Sequence, residues 1–169
     1  MRNFKNVQKT KQKELEKTFP EILKLYSDEN SETYKKLNVC VFDHWLSTDE
    51  AIKEIDKISN KKEKEHNKKL HSFCVSLAKS TECYLVKLLG KRKEKTAFKE
   101  FTSEDGLKNT LVPEHHFVSD MFRFVLALPE LNAIYFEGSD FTHQLYYKDE
   151  AKIQSIHKLA TEHGLHILK

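Results

Sequence analysis

Glycine and proline are scarce in this chain of 169 residues, at four and three respectively. So few turn-makers argue against collagen-like, Pro-rich or repeat-turn classes and against a long all-β architecture. Four glycines build no phosphate cradle: neither G-x-x-x-x-G-K-[ST] nor G-x-G-x-x-G occurs, and G-x-S-x-G is absent too. The three cysteines, Cys40, Cys74 and Cys83, are odd in number and form no C-x-x-C, so a reducing compartment is expected. The apolar runs VCVF, FVLAL and YLVKLL fall far short of the roughly 20 residues of a membrane span. The first residues, MRNFKNVQKTKQKELEK, contain no signal-peptide core. A cytoplasmic protein with no membrane partner is the expectation.

Charge is what the chain has in quantity. Charged residues make up 33% of it, with Lys+Arg 29 against Asp+Glu 26 and a net charge of +3. Residues 1–100 hold 23 basic and 16 acidic side chains, a net +7, and residues 101–169 hold 6 and 10, a net −4. The basic excess lies in the N-terminal stretch, in 61–69 (KKEKEHNKK) and in 91–95 (KRKEK). The acidic excess gathers around Glu130, Glu137, Asp140, Asp149 and Glu150. Opposed poles steer partners of opposite sign.

Hydrophobic spacing sets the expected elements. Residues 1–17 read as a polar helical arm, thinly striped by Phe4, Val7 and Leu15 and free to move, while 18–169 form a single domain. Thr18-x-x-Glu21 has the capping-box form and opens a short helix, 27–33 is a loop, and 37–45 is a short strand or a buried connector. Ser47-x-x-Glu50 is a second capping box, followed at helical spacing by Ala51, Ile52, Ile55 and Ile58. The stretch 60–79 is a helix with Leu70, Phe73, Cys74, Leu77 and Ala78 on one face. Residues 82–89 fit either its continuation or the first strand of a hairpin with 97–101; the hairpin is preferred, with KRKEK as its loop. Pro113 opens a helix over 114–128, and 132–137 and 142–147 form a β-hairpin. Asp149 caps a helix striped by Ile153, Ile156, Leu159 and Ala160, which Gly164 ends before a closing strand at 165–168. The fold class is α+β: a helical N-terminal half, then antiparallel hairpins covered by helices on one face.

Chemistry-bearing residues are present without a diagnostic spacing. Six of the nine histidines lie in 115–166. His115 and His116 are the densest cluster, and a metal-dependent enzyme built on them is one alternative, although adjacent helical positions point about 100° apart. Glu137, Asp140 and Lys148 sit on one hairpin as a nuclease would require, but their side chains need not converge. Cys40, Asp43 and His44 contain the ingredients of an activated thiolate, yet Cys40 and His44 in an extended segment stand about 13 Å apart. No cofactor is implied.

Two binding readings remain. Tyr135, Glu137, Asp140, Tyr146, Asp149 and Glu150 would offer a basic protein an aromatic anchor with an acidic rim, provided the tyrosines are exposed; Trp45 is a further aromatic of interest. Lys91, Arg92, Lys93 and Lys95, with the run 61–69, would suit a nucleic-acid backbone, though interleaved glutamates dilute both runs. The leading expectation is a small binding protein without catalysis of its own, immunity- or antitoxin-like, that neutralises another protein through the 135–150 region.

Overall fold

The structure, a computed structural model, describes residues 3–27, 31–90, 92, 94–113 and 123–169. Its centre is one eight-stranded antiparallel sheet in the order β1-β4-β3-β5-β6-β7-β2-β8. The strands are β1 (Phe4–Asn6), β2 (Lys35–Cys40), β3 (Tyr84–Leu89), β4 (Lys95–Phe101), β5 (Val125–Leu128), β6 (Ala133–Phe136), β7 (Thr142–Tyr147) and β8 (His166–Leu168). Among the described residues six α-helices accompany them: α1 (Lys9–Thr18), α2 (Ile22–Tyr26), α3 (Thr48–Ala51), α4 (Asn60–Ser80), α5 (Glu104–Thr110) and α6 (Gln154–Glu162). A π-helical turn, Ile52–Asp56, continues α3. The chain is thus mixed α+β.

Period-two alternation sends each strand's residues to opposite faces, and here both faces are covered. On one, Leu37, Val39, Tyr135 and Leu145 pack with Leu70, Phe73, Leu77, Leu107 and Ile156 of α4, α5 and α6. On the other, Val86, Phe98, Ile134 and Phe136 pack with Leu15, Phe19, Ile22 and Leu25 of α1 and α2. Helices on one face only, the arrangement expected from the sequence, give way to helices on both. The reason is visible in β5 and β6, all of whose residues are buried. Such continuous apolar runs need two covering layers.

Several expected elements stand. The hairpins β3–β4 and β6–β7 form, α4 carries its apolar stripe inward, and Ser47 and Glu50 make the reciprocal capping box. Gly164, at φ +65°, ends α6 before β8. Others are corrected. The stretch 3–17 is not one helix: Phe4–Asn6 pairs with Lys99–Phe101 as a strand, and Leu15 of α1 is fully buried. Thr18 and Glu21 make no capping box, because Thr18 still belongs to α1 and Glu21 starts α2 in a left-handed conformation. The expected helix 114–128 fails at its end, where Val125–Leu128 is a strand between β3 and β6; its part 114–122, with His115 and His116, lies outside the described residues. Asp149 accepts from the Ala151 N–H at 2.9 Å, in the turn before α6 and not at its cap.

β2 inserts between β7 and β8, so the basic and acidic halves of the sequence interleave in space. Lys35 of the first half reaches Glu150 and Lys79 reaches Glu104. Two linear halves of opposite charge do not become two poles.

Candidate docking groove

On the face that α1 and α2 cover, their apolar residues meet β3 to β6 and Tyr146 at one end of β7. Beyond Tyr146 the residues on that face of β2 and β7 turn polar: Lys36, Asn38 and Cys40 stand opposite Tyr146, Gln144 and Thr142. Asn38, Cys40, Thr142 and Gln144 floor a groove of about 650 Å³. Phe42, His44, Trp45, Ala51 and Ile55 wall one side, and the turn Gly138–Asp140 the other. Ligand clefts run from about 300 to 1,000 Å³.

Two local devices build the walls. The hairpin turn has Asp140 and Phe141 both at positive φ, +55° and +58°, with the Thr142 N–H donating to the Ser139 carbonyl at 3.0 Å. Such a type I′ turn usually holds Asn-Gly. Bulky Phe141 is held there because its ring is buried against His66 at 5.0 Å and Phe42 at 6.4 Å. The same turn leaves Asp140 exposed on the rim. Gly138 is obligatory, since a Cβ would stand 1.9 Å from the Thr142 carbonyl oxygen. The opposite wall is fixed by the capping box, in which Glu50 accepts from the Ser47 N–H and hydroxyl, each at 2.8 Å. These bonds and His44 hold the Glu50 carboxyl down to about 2. His44 bonds Asp43 at 2.6 Å and Glu50 at 3.2 Å, and its pKa is raised, chiefly by Asp43.

The segment that carries this wall is acidic and has exposed apolar side chains. Residues 43–56 contain five carboxylates, Asp43, Asp49, Glu50, Glu54 and Asp56, and one lysine, Lys53. Trp45 is 57% exposed, its indole N–H donating to the Lys169 carbonyl at 3.3 Å, and Ile52 is 38% exposed. Among the described residues the other large exposed hydrophobics are Leu23, Leu89 and Val112, and Leu23 and Leu89 border a second groove, between α1–α2 and β4. Asn38 is 9% exposed, faces the groove, and its amide has no hydrogen-bond partner among the described residues. Gln144 accepts from the Tyr146 hydroxyl at 3.3 Å.

The six residues expected as a protein-binding patch are not brought together at the surface. Tyr135 is fully buried, its hydroxyl 2.6 Å from His143 Nδ1 and accepting from the Cys74 thiol at 3.5 Å. Glu137 is fully buried and accepts from the Arg123 N–H at 2.8 Å. Tyr146 is buried under the Lys36 ammonium. Asp140 is exposed on the groove, Asp149 is half-buried in its turn, and Glu150 is exposed but paired with Lys35 and Lys169. The groove residues Asn38 and Gln144 were missed, although polar positions alternate with apolar ones in KKLNVC and THQLYY. That signal acquires meaning only when register sets the two strands side by side.

No family model matches the chain, no curated protein matches it, and no solved structure matches it.

The other expected sites take these positions. Lys91 and Lys93 lie outside the described residues; the Arg92 N–H donates to Glu94 and Lys95 is exposed at the start of β4. On α4, Lys61, Lys64, Lys68 and Lys69 are exposed and Lys62 pairs with Glu54. Cys40 turns to Thr142 at 3.0 Å and burial pushes its thiol pKa up, while His44 turns to the carboxylates, so the two do not form a thiolate pair. Among the described residues no three His, Cys, Asp or Glu side chains gather as a metal site. No helix among them is long and apolar enough to cross a membrane.

Proposed function

We propose that this protein is a binding module that docks a basic protein partner on the acidic segment 43–56 and the adjoining groove, acting by occupancy, as an immunity protein or antitoxin does. The observation that carries the reading is the position of Trp45 and Ile52: two large apolar side chains exposed within a stretch of five carboxylates and one lysine. Aromatic anchors ringed by charge are the anatomy of interaction hot spots. Short π-helical turns such as Ile52–Asp56 recur at functional sites. The anchor expected at Tyr135 and Tyr146 moves to Trp45 because both tyrosines are interior.

The test is affinity capture from the source cells with wild-type protein and three variants. Wild type should retain a basic protein, less of it as salt rises. Trp45→Ala should weaken retention by about 2 kcal/mol or more, roughly thirtyfold, and Asp49→Lys should weaken it too. Lys68→Gln on α4 should leave it intact. An identical set of retained proteins with Trp45→Ala and Asp49→Lys overturns the reading.

A further inference from the structure

We propose that the groove receives one extended segment of the partner's chain, its main chain gripped by the Asn38 and Gln144 amides and a basic side chain placed beside Asp140. The assignment rests on the docking reading above and adds the form of the occupant. Asn38 is the sharpest clue. Its side chain is largely covered, yet the amide opens onto the groove and bonds no other described residue, so it offers an occupant both a donor and an acceptor in exchange for water. Gln144 stands directly across from it in the β2–β7 register, which puts two amides side by side with Cβ atoms about 4.5–5.5 Å apart. An extended peptide repeats about every 3.3 Å per residue and presents alternating N–H and C=O groups, so one strand passing over the floor meets both.

Charge and shape point to the same occupant. The lining carries one carboxylate, Asp140 on the turn, and His44, whose ring bonds Asp43 and Glu50 just behind it. The lysine of the lining, Lys36, is drawn aside, its ammonium 5.6 Å from the centre of the Tyr146 ring. Trp45 offers a flat wall on which a guanidinium stacks.

The chain has a single tryptophan, Trp45, so its fluorescence reports on this groove, and the side-chain amide NMR signals of Asn38 and Gln144 report on the floor. The probe is acetyl-Ala-Arg-Ala-Arg-Ala-amide, compared with its backbone N-methylated form, with acetyl-Ala-Glu-Ala-Glu-Ala-amide and with adenosine. The arginine peptide should bind saturably and shift both amide signals. The N-methylated and glutamate peptides should bind at least about tenfold more weakly, and Asn38→Ala and Gln144→Ala about fivefold more weakly each. Equal binding of the N-methylated peptide overturns the proposal, as does saturation by adenosine in place of the peptide, or no saturable response to the arginine peptide. Partner capture that is lost with Trp45→Ala but kept with Asn38→Ala and Gln144→Ala overturns the groove and leaves the docking surface standing. Peptide binding alongside capture that ignores Trp45→Ala and Asp49→Lys upholds the groove and overturns the acidic segment.

Discussion

His143 sits where a histidine is costly. It is buried between Tyr135 and Phe124, its Nε2 has no hydrogen-bond partner among the described residues, and burial pushes its pKa down to about 3. The unfolded chain takes up a proton near pH 6.5 while the folded one stays neutral down to about 3. The unfolded state therefore binds more protons across that window, and stability falls as pH drops from 6.5 toward 3. The slope from this residue is about 1.4 kcal/mol per pH unit. His66, buried against Phe42 and Phe141 with its pKa also lowered by burial, acts in the same direction. Urea unfolding from pH 7 to 4 should show the slope shrink by up to that amount in His143→Leu, whatever the variant's stability at pH 7. An unchanged slope assigns the acid sensitivity elsewhere.

Gly138 makes the second residue-scale prediction. With the Thr142 carbonyl oxygen 1.9 Å from where a Cβ would stand, Gly138→Ala must push the hairpin turn apart. The expected cost is about 2–4 kcal/mol, visible as a lowered thermal midpoint. Because the same turn carries Asp140 and seats Phe141, arginine-peptide binding should weaken with it.

Among the elements, β4 shows how a strand edge is closed without another strand. β1 stops at Asn6, opposite Lys99. Past that point the Gln12 side chain of α1 takes over, donating to the Thr96 carbonyl and accepting from the Phe98 N–H, both at 3.0 Å. One amide stands in for the missing strand, and open edges recruit other chains. Gln12→Ala should cost about 1–2 kcal/mol and raise the apparent mass in light scattering at high concentration. A monodisperse variant of unchanged stability would remove Gln12 from this role.

Legibility from sequence also divides by element. α4 and the β6–β7 hairpin were readable because each carries its own period or turn. The capping box of α3 was readable because it is four adjacent residues. β1 was not, since three residues become a strand only through pairing with β4, nearly a hundred positions away. β5 reads as the end of a helix for a related reason: VLAL is apolar throughout, and a run buried on both faces has no period to distinguish strand from helix. At the site, Trp45 stood out in the sequence as an aromatic, but the acidic stretch 43–56 was hidden inside a half that is net basic. The burial of Tyr135 under α4 and of Tyr146 under α1 and α2 was not legible, because it follows from which sheet face each helix covers, which no local pattern announces.

For the whole molecule the decisive feature is the place of β2 in the sheet. Both its neighbours come from the far end of the chain: Cys40 touches Thr142 across 102 residues, and Asn38 pairs with Leu168. Sheets closed by such distant pairings fold slowly. Stopped-flow refolding followed by Trp45 fluorescence should therefore show the wall of the groove forming in milliseconds to seconds, not microseconds. A microsecond phase carrying the full amplitude would contradict that.

During synthesis the same placement sets an order of events. α4 and the β3–β4 hairpin have their local partners as soon as they leave the ribosome, whereas β2 waits for roughly a hundred residues with both of its edges unpaired. At about 5–20 residues per second, that is an interval of several seconds or more. Through it, Leu37 and Val39 are exposed on a strand that nothing yet covers. The nascent chain is then at its most adhesive, and the groove does not exist until β7 arrives to complete its floor.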